Sequence, residues 1–301
     1  MRSLRERVRF ALAVAILTLG AALGAVAGEN ESRPFLWKAT SEKNTVYLLG
    51  SIHLGKPSFY PLSEPVESAF KECPVLVVEA DPNQMDLVET ALLITEKGMY
   101  PQGKTVFDAL NREERARLEK VAQEMDLPLG HAAQMRPWFL MQTLEVAKAQ
   151  QLGYSAMFGV DLHFVKQASN QGKVVKELES MREQIEMLSS FSPELERSFL
   201  LQALDEMQNF EAHLNELLAA WRAGDAEKMA EVGGLGGEAE EEYPELFEKL
   251  VYERNDRMTD KIVGYLDLDT PHFVVVGSLH LVGDKGIVAQ LRDRGFKVKQ
   301  E

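Results

Sequence analysis

Two stretches of this chain carry the same motif, with their histidines 227 residues apart. Val46-Tyr47-Leu48-Leu49-Gly50-Ser51-Ile52-His53-Leu54-Gly55 aligns with Val274-Val275-Val276-Gly277-Ser278-Leu279-His280-Leu281-Val282-Gly283. Each copy is an apolar strand, Gly-Ser, one aliphatic residue, then His-Leu. Only six histidines are present, which makes a copy this close hard to produce by chance. Glycine after a strand permits a turn and a close approach that other residues obstruct. In α/β sheets, ligands bind at the carboxyl ends of strands. The repeat therefore points to two imidazoles presented at one sheet edge. The plainer alternative is a strand-capping turn used twice, with a hydrogen-bonded histidine in each.

Glu79 is the third residue of this kind. It directly follows the apolar run Val75-Leu76-Val77-Val78, with Asp81-Pro82 close behind. A carboxylate there can serve the turn. Two histidines and a carboxylate are also the donor set of hydrolytic metal sites, which leave coordination positions open to water and substrate. A second carboxylate can act as general base, and Asp81 and Glu179 are the weaker candidates, each also readable as a turn or structural acceptor. Neither an H-E-x-x-H helix nor a G-x-S-x-G elbow occurs.

The remaining histidines carry less. His131, His213 and His272 read as surface or cap residues, and His163 is the reserve ligand. Trp138 and Phe139 read as core, as do Met181, Met187 and Met207. Cys73, the only cysteine, reads as a small buried hydrophobe before Pro74, so the fold has no internal disulfide.

Periodicity defines the elements that must position these residues. Phe35–Ala39 and Thr45–Leu49 read as strands around the polar turn at 41–44. Ser63 and Pro65 open a helix over Glu64–Glu72. Val75–Val78 and Phe273–Val276 are unbroken apolar runs, suited to strands buried on both faces. From about 85 to 245 the pattern is mainly helical, with long helices expected over Asn111–Met125, Ala132–Gln150 and Pro193–Arg222 and a strand at Val174–Leu178. Gly233–Gly237 reads as a flexible break and the acidic run Glu238–Glu242 as a solvated loop and first helical turn. A helix over Pro244–Tyr265, another near Lys285–Arg294 and a strand at Phe296–Lys299 complete the chain. The expected fold class is α/β: a central mixed sheet built from N- and C-terminal segments, with a large, mainly helical middle region.

Composition limits the partners. Lys and Arg number 33 against 47 Asp and Glu, a formal net charge of -14. Phosphate backbones repel such a body, so nucleic acid is not an expected partner. The first 27 residues run against this trend. Four arginines precede an apolar run from Phe10 to about Ala22, and Ala25-Val26-Ala27 stands before Gly28. This is the pattern of a secretory signal at 1–27, cleaved after Ala27, with 28–301 as a single periplasmic or secreted domain. The alternative is a retained single-span anchor, because Phe10–Ala27 reaches the lower limit for crossing a bilayer. That segment would be the chain's one link to a membrane.

Gly50-Ser51-Ile52-His53 and Gly277-Ser278-Leu279-His280 resemble the paired G-x-x-H motifs of the TraB/GumN family, which includes the Tiki metalloproteases. Further resemblances run in order along the chain. They are Phe35-Leu36-Trp37-Lys38, Val77-Val78-Glu79-Ala80-Asp81, Met135-Arg136-Pro137-Trp138, Gly159-Val160-Asp161, Glu177-Leu178-Glu179 with Gln184, and Glu253-Arg254-Asn255. The resemblance implies an α/β fold distantly shared with erythromycin esterases and ChaN-like haem-binding proteins. It implies a peptidase acting on a peptide or protein with a divalent metal, manganese, cobalt or zinc. His53, Glu79 and His280 would be the metal ligands, and Glu79, Arg254 and Asn255 the catalytic set. Arg254 would stabilise an oxyanion or hold a substrate carboxylate, or else form an ordinary salt bridge along its helix. The competing reading is a non-catalytic protein whose histidines hold a ligand such as haem or a metal, or that regulates a surface process.

Overall fold

The computed structural model describes residues 33–84 and 86–301, so the signal expected at 1–27 lies outside the described residues. Six strands form one sheet: β1 (Leu36–Thr40), β2 (Thr45–Ser51), β3 (Val75–Val78), β4 (Val174–Glu177), β5 (His272–Gly277) and β6 (Lys297–Gln300). Their order across the sheet is β4-β3-β5-β2-β1-β6. The four strands β4, β3, β5 and β2 run parallel, while β1 is antiparallel to both β2 and β6. The mixed α/β sheet with a helical middle is thus present, and its central strands come from opposite ends of the chain.

Register explains how distant residues meet. Ser51 lies opposite Gly277 across the β2–β5 pair, and Val78 lies opposite Val275 across β3–β5. Three parallel strands therefore end at one edge, delivering the first motif, Glu79 and the second motif side by side. β3 and β5 are buried along their whole length, as their unbroken apolar runs require.

Local signals place the helices, with three corrections. The helix Glu64–Glu72 forms where Ser63 and Pro65 indicate, with Glu64 and Glu67 in its first turn and Lys71 in its last. The stretch expected as one helix over Ala132–Gln150 is two, Leu129–Gln134 and Pro137–Gln151, because Pro137 starts a new helix and holds Arg136 extended. Pro193–Arg222 likewise divides into Pro193–Glu206 and Phe210–Ala223, and the break redirects the second helix. The late helix has a π-type turn at Glu248–Tyr252 before Glu253–Leu266. The extra residue of such a turn re-aims the next helical turn, which carries Arg254 and Asn255.

The stretch read as a flexible glycine-rich break is packed at its start. Gly233 and Gly234 are buried, and a Cβ on Gly233 would lie 2.2 Å from Leu279 Cδ2, inside the second motif. Among the described residues no helix is long and apolar enough to cross a membrane.

Candidate functional site

The two motif copies hold each other. Ser278 Oγ donates to the Ser51 carbonyl at 2.9 Å, so the Ser of one copy satisfies the backbone of the other. Gly50 has no room for a side chain: a Cβ would lie 2.3 Å from Phe35 Cδ1 and 2.9 Å from Ser278 Oγ. Its carbonyl accepts from Trp221 Nε1 at 2.8 Å. After Ser51 the first copy continues as a loop, whereas Ser278–Leu281 makes a helical turn. Identical motifs thus take different backbones, and their imidazoles reach the same place from two directions.

Gly277 marks that place. A Cβ built on it would lie 3.1 Å from Glu79 Oε1, 3.3 Å from His53 Nε2 and 3.5 Å from His280 Cδ2. No two of these atoms can be further apart than twice the largest of those distances. His280 Nε2 is itself 3.8 Å from Glu79 Oε1. The expectation that His53 and His280 meet at the ends of neighbouring strands is met.

Each imidazole is oriented through its other nitrogen. Asn255 Nδ2 donates to the Lys285 carbonyl at 2.9 Å, which turns Asn255 Oδ1 toward His280 Nδ1 at 2.7 Å. His280 Nδ1 must then carry the hydrogen, leaving the Nε2 lone pair facing the cluster. His53 Nδ1 faces Asp161 Oδ1 at 3.4 Å, and Asp161 also accepts from Ser51 Oγ at 3.1 Å. An oxygen acceptor on one ring nitrogen with the other directed inward is the outer-shell arrangement of metal-ligating histidines.

Glu79 is anchored on both oxygens. Gly277 N–H donates to Oε1, and Arg254 Nη2 donates to Oε2 at 2.8 Å. Arg254 Nε donates to Glu179 Oε2 at 2.8 Å and Nη1 to the Leu250 carbonyl at 3.1 Å. Each nitrogen of this buried guanidinium is therefore engaged. The contacts describe a clamp on two carboxylates rather than the expected oxyanion donor, and the partners come from strand ends, not from its own helix. Exposed Arg257 adds a second cation to Glu179 at 3.3 Å.

Charge differs across the cluster. Burial opposes the ionised form of Glu79, but His280, Arg254, His53 and the Gly277 N–H outweigh it and hold the carboxyl at about 2. Burial and the Arg254 guanidinium push His280 down to about 4. Burial also works against the His53 cation, yet Asp161 and Glu79 prevail and lift it to about 9. The two imidazoles of one repeated motif are thus shifted in opposite directions by their surroundings.

The donor chemistry suits a divalent cation: two imidazole Nε2 atoms and a carboxylate share one small space. As they stand, no group of three His, Cys, Asp or Glu side chains among the described residues is arranged to hold one.

The other sequence candidates lie elsewhere. Asp81 Oδ1 accepts from Asn83 N–H at 3.0 Å, the turn role foreseen for it, and Glu179 is a structural acceptor. His163 stacks on Tyr60 with ring centroids 3.7 Å apart and contacts Gln167. His131 is exposed. His213 and His272 are buried, contrary to the surface reading, and His272 stacks on Tyr265 at 4.6 Å. Cys73 and Met207 are core, while Met181 lines the cavity instead of filling the core. The residue overlooked is Asp161. Its signal was a Gly159-Val160-Asp161 block opening a helix, and Gly159 is required because a Cβ there would lie 2.4 Å from the His53 carbonyl.

A cavity of about 150 Å³ is lined by His53, Glu79, Asp161, Arg254 and His280 together with apolar residues. These features define an α/β protein with a His-Glu-His cluster at the carboxyl ends of three parallel strands. The chain belongs to the TraB/PrgY/gumN family, whose model matches residues 35–300. It is similar to Uncharacterized protein YbaP of Escherichia coli (strain K12), with 26% identity over 248 residues, covering 82% of this chain and 87% of the relative. The same figures hold for Uncharacterized protein YbaP of Shigella flexneri. No solved structure matches the chain significantly.

Proposed function

We propose that this chain is an exported metal-dependent hydrolase that cleaves amide bonds in a peptide or protein. The observation that carries the reading is the convergence of His53 Nε2, Glu79 Oε1 and His280 on the space beside Gly277, with both imidazoles oriented by oxygen acceptors. His53, Glu79 and His280 would hold the ion, manganese, cobalt or zinc. When bound, such an ion supplies Lewis-acid polarisation of a carbonyl oxygen. Arg254 positions Glu79, and Asn255 positions His280; Asp161 does the same for His53. Resemblance to the Tiki metalloproteases supports the peptidase assignment, and the N-terminal pattern at 1–27 supports export to a periplasmic or extracellular space.

Elemental analysis of purified protein, paired with digestion of a broad peptide library, tests the proposal. The mature chain should carry a divalent metal in near-stoichiometric amount and cleave peptides. His53→Ala, His280→Ala and Glu79→Gln should each stay folded and lose both metal and turnover. A metal-free protein whose activity survives Glu79→Gln would overturn it.

A further inference from the structure

The cavity is lined by two unlike kinds of residue: the charged cluster, and apolar side chains from the helical middle, the late helix and the second motif. Phe210, Leu214 and Leu217 project from one face of the helix Phe210–Ala223, at the i, i+4, i+7 spacing of a single stripe. Met229, Leu250 and Leu279 complete the wall, and all six are buried. None of these six side chains carries a charge. A substrate group entering there exchanges water for hydrocarbon, which favours an apolar group and penalises an ionised one.

We propose that this wall is a specificity pocket that admits one bulky aliphatic or aromatic side chain of the substrate, immediately beside the bond presented to the His53–Glu79–His280 cluster. The position beside a scissile bond rests on the hydrolase reading, while the apolar pocket itself does not. Size sets the class of side chain. The whole cavity, charged residues included, is about 150 Å³, room for one group of roughly benzene size, so Leu, Ile, Met or Phe fits and a longer apolar chain does not. The Gly233 contact ties the pocket to the second motif. Leu279 is pressed against Gly233 on one side and sits next to His280 in sequence, so the wall and the imidazole are set by the same turn.

The test uses two hexapeptides that differ at one central position, Leu in one and Asp in the other. Calorimetry reads their binding to the full-length mature protein, and kcat/KM on the manganese-loaded protein reads turnover. The Leu peptide should bind at least tenfold more tightly and, if cleaved, be cleaved at least tenfold more efficiently. Leu217→Trp fills the cavity and should abolish the preference while leaving a thermal melt intact. If that variant does not fold, Leu214→Ala enlarges the cavity and should move the preference from Leu toward Trp. Binding that discriminates without any cleavage upholds the pocket and sinks the hydrolase reading. Cleavage with less than threefold discrimination upholds the hydrolase reading and overturns the pocket. Absence of binding by both peptides also overturns it.

Discussion

Gly277→Ala separates the geometry of the cluster from the stability of the fold. The Gly277 backbone has φ -51° and ψ 137°, a conformation open to alanine. The new methyl would sit 3.1 Å from Glu79 Oε1, 3.3 Å from His53 Nε2 and 3.5 Å from His280 Cδ2. These contacts are tight but not impossible, and reduced freedom of the unfolded chain returns about 0.4–1 kcal/mol. Stability should therefore stay within about 1 kcal/mol of the parent. Function should not survive, because a ligand ion with bonds of about 2 Å to nitrogen and oxygen must lie in the few ångströms now holding a carbon. Gly50→Ala is the opposite case. Its Cβ would lie 2.3 Å from Phe35 Cδ1 in the core, an overpacking that should cost about 1–3 kcal/mol. Urea melts of both variants, with plasma-emission metal analysis after dialysis, read the two effects separately. A Gly277→Ala protein that keeps parental metal content and turnover would refute the convergence of the three side chains on this point.

The same contacts fix other outcomes. Arg254→Leu leaves Glu79 and Glu179 buried without their shared cation and should cost about 3–5 kcal/mol in chemical denaturation, whereas a loss under 1 kcal/mol would show that the clamp is not structural. Asn255→Leu should weaken metal affinity about 10–100-fold by freeing the His280 ring, and Asn255→Asp should recover most of it; equal affinities for both variants would exclude the orienting role. Glu145 is buried with no hydrogen-bond partner on either carboxyl oxygen, and burial with Glu206 raises its pKa well above the ordinary carboxyl range. The unfolded chain ionises first there, so its contribution falls as pH rises above the ordinary carboxyl range; Glu145→Leu should be the more stable protein at pH 8 with a smaller gain at pH 4, and a pH-independent difference would contradict this. Intact-mass analysis of protein from its native compartment should show Gly28 first, and a full-length mass would favour the anchor.

What the sequence by itself determined is local or repetitive. Unbroken apolar runs marked β3 and β5, Ser63 and Pro65 marked the first helix, and the duplicated Gly-Ser-x-His named both imidazoles, because period, caps and motif copies are properties of neighbouring residues. Family membership was legible for the same reason, as a series of ordered short blocks. The tertiary structure decided the rest. Arg254 reaches Glu79 across 175 positions, and Asp161 reaches Ser51 across 110. Such pairings exist only once parallel strands bring their carboxyl ends together. The opposite pKa shifts of His53 and His280 are the clearest instance: two copies of one motif carry the same local information, and only their surroundings set them apart, Asp161 and Glu79 prevailing over burial at one, burial and Arg254 prevailing at the other.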